Sequence, residues 1–151
     1  MSATAPAVAG IDPRGPRFTA SITLVVFAVA LLLSDAAPGV AAVLTGIQAV
    51  LFAIGAGLGV HRTPTGVLFR RLVRPRLAPP DHLEDPAPPR FAQAVGLVFA
   101  VVATLGLATG AVLLGQVFAA FAFVAAFLNA VFAFCLGCEM YLLGLRLLRR
   151  S

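Results

Sequence analysis

The sequence predicts an all-α membrane protein in which four transmembrane helices form two helical hairpins. Three observations carry that expectation. Hydrophobic residues make up 60% of the 151-residue chain, charged residues only 11%, and the mean hydropathy is +1.00. A soluble domain carries about 25% charged residues, so the polar surface here is too small to coat a water-soluble particle. All eleven basic residues are Arg, and they fall in groups within 14–17, 62–90 and 146–150. Between those groups lie long apolar runs, each sized for a pair of membrane crossings. A net charge of +5 and a pI near 11 would otherwise indicate nucleic acid, but this spacing of arginines is the signature of membrane topology. No nucleic-acid partner is expected.

In chain order, residues 1–11 lack any apolar period and read as a mobile tail. Residues 18–34 are uncharged and rich in Leu, Val and Ala, a short first span that its flanks lengthen towards the ~20 residues a bilayer requires. Residues 35–39 make a tight turn, and residues 40–60 a second span ending among Gly55, Gly57 and Gly59. No charge occurs from Phe91 to Cys138. As one helix that stretch would be roughly 70 Å long, about twice the hydrocarbon thickness. It must fold back, and a turn at 110–116 gives spans over 91–109 and 117–145. The chain thus divides into a tail (1–11), a first hairpin (12–60), a connector (61–90) and a second hairpin (91–151).

Neither turn between spans contains Arg, whereas the termini and the connector hold every one. By the positive-inside rule the termini and connector are cytoplasmic, and the protein belongs in the cytoplasmic (inner) membrane. A cleaved signal peptide is the competing reading of the first span. An internal repeat argues against it: residues 12–18 and 85–91 share the pattern D-P-x-x-P-R-F, each just before a hairpin. Arg71-Leu72-Val73-Arg74 is echoed by Arg146-Leu147-Leu148-Arg149. Two hairpins entering from one side imply parallel repeats about an axis along the membrane normal. Pro16 and Pro89 suit the first helical position, and Arg17 and Arg90 can reach headgroups while their stems lie along lipid.

In the connector, Thr63-Pro64 reads as an N-cap followed by proline at the first helical position. An amphipathic stretch follows, with Arg70, Arg71 and Arg74 directed to anionic lipid. Beyond Pro75 the chain turns proline-rich and mildly acidic, a semi-rigid spacer that could dock a cytoplasmic protein.

The chemistry-bearing stretch is Phe134-Cys135-Leu136-Gly137-Cys138-Glu139-Met140-Tyr141. If the fourth span is one helix, Cys135, Cys138, Glu139, Leu142 and Arg146 share about a third of its circumference. Ala122, Ala126, Ala130, Ala133, Gly137 and Gly144 make an opposite stripe suited to close packing. Glu139 then lies in the cytoplasmic half of the membrane, where an ionised carboxylate needs a partner. Arg146 and Arg71 are the options. The thiols would lie inside a helix towards its C-terminal end, without the dipole that activates thioredoxin-type cysteines. A reducing compartment disfavours a permanent disulfide. A metal site would need His61, and Glu139 besides, to join Cys135 and Cys138; no metal or cofactor is assigned. Two thiols beside a carboxylate can exchange disulfides or carry sulfur, can bind metal, or can be inert small hydrophobes.

The D-P-R-G-P-R-F segment, the connector from Arg74-Pro75-Arg76-Leu77 to Pro88-Pro89-Arg90-Phe91-Ala92-Gln93, and the F-C-x-G-C-E-x-Y ending together carry a resemblance. Over about residues 11–150 the chain resembles a family of small bacterial, mainly actinobacterial, membrane proteins described only as a domain of unknown function. The resemblance implies no established activity. Its association with thioredoxin-like and rhodanese-type sulfurtransferase proteins suits a thiol or sulfur role, as does a looser likeness to DoxX-type four-helix proteins.

The expectation is therefore a membrane thiol–disulfide or sulfur relay. Cys135 and Cys138 exchange, Glu139 accepts the proton, and Arg146 or Arg71 supports the charge. Membrane lipids and a soluble thioredoxin- or rhodanese-like protein are the partners. The alternative is a non-catalytic anchor that recruits cytoplasmic proteins through residues 61–90. A small transporter, third, would require a homodimer.

Overall fold

The computed structural model describes residues 10–151, so most of the tail expected at 1–11 lies outside the described residues. Six α-helices are present among them: α1 (Arg14–Leu33), α2 (Pro38–Leu58), α3 (Pro64–Leu68), α4 (Ala87–Thr109), α5 (Val112–Phe132) and α6 (Leu136–Arg150). Helices α1, α2, α4 and α5, of 20, 21, 23 and 21 residues, are long and apolar enough to cross a membrane. The protein is a multi-pass membrane protein of all-helical fold.

Three sequence expectations need correction. The turn expected at 110–116 is only Gly110-Ala111, because Gly110 takes a left-handed conformation (φ 87°) and reverses the chain at once. The fourth span is 112–132, not 117–145. The chain breaks after Phe132, and α6 is a separate amphipathic helix with no fully buried residue. Arg146, Arg149 and Arg150 therefore sit on that separate helix and do not terminate a spanning one.

The bundle is held by small residues. Phe27, Ala49, Phe52, Ala100, Ala103, Ala119 and Ala122 form the main core cluster, with the Phe27 and Phe52 rings 6.4 Å apart. Helix α2 packs chiefly on α4, and α5 on both α1 and α4. Lipid tails are as apolar as leucine, so association rests on close van der Waals fit. A close backbone approach joins α4 to α5: a Cβ on Gly106 would lie 2.6 Å from the Gly115 amide nitrogen. Large apolar side chains such as Leu32, Leu105 and Leu113 point outwards, as a lipid-facing surface requires.

A series of polar contacts, most of them buried or partly buried, runs through the bundle. The hydroxyls of Thr19 and Thr65 are 3.0 Å apart, as are those of Thr63 and Thr65. Gln48 Nε2 donates to Thr23 Oγ1 at 3.1 Å, and Thr104 Oγ1 to Thr45 Oγ1 at 2.9 Å. At the far end Gln116 Nε2 donates to Ser34 Oγ and Asp35 Oδ1, both at 2.9 Å. Hydrogen bonds between spanning helices fix their register, at about 0.6–2 kcal/mol each.

The opposite end is closed by arginines. Arg17, in the first turn of α1, donates to the Ala130 carbonyl of α5 at 3.3–3.4 Å. Arg90, in the first turn of α4, donates to the Ala56 and Gly57 carbonyls of α2 at 2.8–3.2 Å. The last carbonyls of a helix lack intrahelical donors, and a guanidinium, with five N–H groups, serves them well. Arg17 and Arg90 thus act on protein carbonyls, beyond the headgroup anchoring expected of them.

Because Gly106 and Gly115 meet backbone to backbone, no side-chain rotation can make room there. Gly106→Val should lower stability in detergent by at least about 1–3 kcal/mol. The same change at Gly57, which has open space around its missing Cβ, should cost far less. Thermal unfolding of the purified variants is the check.

Candidate functional site

The cysteine turn is made by the break after α5. Ala133 adopts a left-handed conformation (φ 54°), the one non-glycine to do so among the described residues. Its N–H still bonds the Asn129 carbonyl at 3.1 Å, and the Phe134 N–H returns to the Leu128 carbonyl at 3.2 Å. The helix is thereby closed before the chain leaves it. Cys135 is then extended (φ −88°, ψ 101°) and serves as the N-cap of α6.

This reverses the expected setting of the thiols. Cys135 and Cys138 do not lie towards the C-terminal end of a spanning helix; they open a new one. Cys135 Sγ accepts the Cys138 N–H at 3.3 Å, in the place a serine or aspartate oxygen commonly occupies. The Glu139 N–H bonds the Cys135 carbonyl at 3.0 Å. The two sulfurs are joined as a disulfide, with Cα atoms 5.2 Å apart. Both cysteines are half-buried, while Phe134, Leu136 and Glu139 around them are exposed.

The turn is pressed onto α4. A Cβ at Gly137 would lie 2.6 Å from both Cα and Cβ of Ala92, so glycine between the cysteines lets α6 touch α4 at backbone distance. One turn on, the Tyr141 and Phe91 rings are 5.7 Å apart. Gly137 was expected on a packing stripe, and it packs. That stripe is nevertheless split by the break: Ala122 and Ala126 belong to α5, Gly137 and Gly144 to α6.

Glu139 also needs correction. It stands in the first turn of α6, exposed, and not within a spanning helix. Exposed, Glu139 needs no compensating charge, and among the described residues neither Arg146 nor Arg71 pairs with it: the ion pairs are Arg14–Asp12 and His82–Glu84. A carboxylate in a first helical turn is favoured by the helix dipole. The tetrahedral set of Cys135, Cys138, His61 and Glu139 does not assemble either. No three His, Cys, Asp or Glu side chains converge among the described residues. His61 lies after α2, beside a cavity.

The connector begins as expected. Thr63 Oγ1 accepts the Gly66 N–H at 3.0 Å, with Pro64 opening α3. The helix then continues through a wide turn at Phe69–Val73 and a tight one at Arg74–Arg76. Arg70, Arg71 and Arg74 are all exposed there.

An all-helical membrane fold with a capped Cys-x-x-Cys defines a class but no activity. Residues 11–146 match the family described as Domain of unknown function (DUF4395), and the chain belongs to that family. No curated protein and no solved structure matches it significantly.

The left-handed turn at Ala133 is what frees Cys135 to cap. A left-handed alanine costs roughly 1–2 kcal/mol; glycine would relieve that strain but lose part of the gain to its greater unfolded-state freedom. Ala133→Gly should therefore hold stability or raise it by up to about 1 kcal/mol. Ala133→Val, β-branched at the same angle, should lose at least that much. Melting curves of both variants, with the cysteines reduced and oxidised, test the turn.

Proposed function

We propose that the protein is a membrane-bound thiol–disulfide exchanger in which Cys135 and Cys138 are the exchanging pair. The observation carrying this reading is the position of the pair: a Cys-x-x-Cys disulfide at a helix N-terminus, with Cys135 as the cap. There the dipole and the Cys138 N–H stabilise a thiolate on Cys135. Disulfides facing a reducing compartment are characteristically transient and catalytic.

The exchange balances as follows. The Cys135 thiolate attacks one sulfur of a partner's disulfide and expels the other as a thiolate. The Cys138 thiol, passing its proton to the neighbouring Glu139 carboxylate, then attacks Cys135 Sγ and releases the partner's second sulfur. Two electrons move from the pair to the partner, and the reverse sequence oxidises a partner dithiol. Carriage of sulfur would use the same Cys135 thiolate to take a persulfide sulfur from a rhodanese-like donor. A soluble thioredoxin- or rhodanese-like protein is the proposed partner.

In reduced protein, Cys138→Ser (Cys135 alone) should react with oxidised glutathione at least about tenfold faster than Cys135→Ser (Cys138 alone). Equal rates would remove the basis for the exchange. The non-catalytic alternative is favoured by one feature, an exposed groove of about 380 Å³ lined by Arg70, Arg74, Pro75, Leu77 and Pro79 on the connector. If anchoring through residues 61–90 is the role, Cys135→Ser/Cys138→Ser would leave every cellular phenotype of the gene intact.

We also infer that the two halves are a parallel repeat with both termini cytoplasmic. Matched contacts support it. Asp12 Oδ1 accepts the Arg14 N–H and Asp85 Oδ1 the Ala87 N–H. Arg17 and Arg90 each close the last span of the other half. Gly59 and Ala133 both take positive φ after a span, and Thr63 and Cys135 both cap the next helix. Orientation follows from the arginines gathered on these segments. In a Cys135→Ser/Cys138→Ser background, Asp35→Cys should label with an impermeant maleimide in intact cells, and Asp81→Cys only after permeabilisation. The opposite pattern would invert the topology.

A further inference from the structure

A cavity of about 260 Å³ opens at the arginine-closed end of the bundle, and no residue of the cysteine turn lines it. Its floor is apolar: Val60 and Phe69 are buried, and Phe69 is fixed by the Phe18 ring at 5.7 Å. Its far wall is Ile11 and Leu83. That wall is held in place by a two-way backbone bridge between Ile11 and Glu84, with both N–H···O distances 2.9 Å.

The charged groups on the lining are Asp12, His61, Arg70 and Arg74. Asp12 is already neutralised. Arg14 donates to it through its backbone N–H and Nε at 3.0 Å and through Nη2 at 2.8 Å, which holds the carboxyl below the usual carboxylate range against the opposing effect of burial. The His61 pKa is lowered, by partial burial first and then by the nearby Arg70, Arg62 and Arg90. Among the described residues, Arg70 and Arg74 have no carboxylate partner. Arg17 and Arg90, by contrast, are committed to helix carbonyls. Two guanidiniums without an ion-pair partner thus border an apolar floor, Arg74 near enough to Asp12 to help lower its pKa.

We propose that this cavity binds a phosphate ester on a small, partly apolar body, with Arg70 and Arg74 on the phosphate and the body against Val60 and Phe69. Guanidinium is the side chain best matched to phosphate, through paired N–H donors. A site near 260 Å³ is below the roughly 300–1,000 Å³ of drug-sized pockets, which suits a glycerol-phosphate unit. That unit could belong to a phospholipid headgroup or arrive free from solution. The site is independent of the cysteine chemistry.

The test is native mass spectrometry of the full protein in mild detergent. One arm adds phosphatidylglycerol against phosphatidylcholine; the other adds glycerol phosphate alone. Retention of either phosphate ester supports the site and identifies its source. Arg70→Gln/Arg74→Gln should weaken that binding at least tenfold. Arg71→Gln/Arg76→Gln removes the same charge from outside the cavity lining, and should leave binding within about threefold. Leu83→Trp, which keeps both arginines but fills the cavity, should also abolish it. The proposal is overturned if neither ester binds, or if the two double variants lose binding equally, since that would be surface charge alone.

Discussion

The structure depends on how the spanning helices end. In hydrocarbon every backbone polar group must find a partner within the protein, and a helix leaves its last four carbonyls without one. Here those carbonyls receive arginine: Arg90 serves Ala56 and Gly57, and Arg17 serves Ala130. Each donor comes from the first turn of a different helix, so the contact that satisfies one end also ties two helices together. Once the carbonyls are satisfied, the chain can leave the helix without cost to its neighbours. It does so at Gly59 and at Ala133, both with positive φ.

The departures create the surface features of the molecule. After Gly59 the chain forms the amphipathic α3 segment with its arginines, and after Ala133 it forms α6 with the cysteines at its head. A thiol in mid-helix has its local N–H groups already engaged and receives no field from the helix end. A thiol at an N-cap meets free N–H groups and the positive end of the dipole. The redox reading of Cys135 therefore rests on a backbone event two residues earlier, where the Ala133 and Phe134 N–H groups close α5 on the Asn129 and Leu128 carbonyls while Arg17 serves Ala130.

The spanning elements were legible in the sequence because apolar length and arginine placement are direct consequences of the bilayer. Thr63-Pro64 as a helix start was legible for a similar reason, since cap chemistry is local. The break at Ala133 was not. Residues 117–145 contain no Pro, and no Gly stands at the break, so nothing marked a stop; alanine ordinarily favours helix. The one available signal was the hydropathy change itself. Arg146, Arg149, Arg150 and Glu139 give the last fifteen residues a polar face that residues 112–132 lack. Reading the two as one helix buried Glu139 and stranded the thiols in hydrocarbon. Arg17 and Arg90 were recognised as a repeated pair, but their partners were not, because the carbonyls they serve lie 113 and 33–34 residues away.

The least anchored part of the bundle carries its most reactive groups. Helix α6 buries no residue completely and rests mainly on α4, through Gly137 on Ala92 and Tyr141 on Phe91. By contrast α1, α2, α4 and α5 share an alanine-lined core and inter-helix hydrogen bonds. Local opening follows the number of buried contacts, so α6 is the helix whose opening would cost the least and would leave the core intact. A disulfide exchange needs a partner sulfur in line with the attacked bond, which a half-buried pair pressed on a rigid helix would obstruct. For the proposed exchange, Gly137 would resolve that conflict. Its missing side chain permits close contact when the turn is seated, and there is no interlocking side chain there to withdraw when the turn lifts.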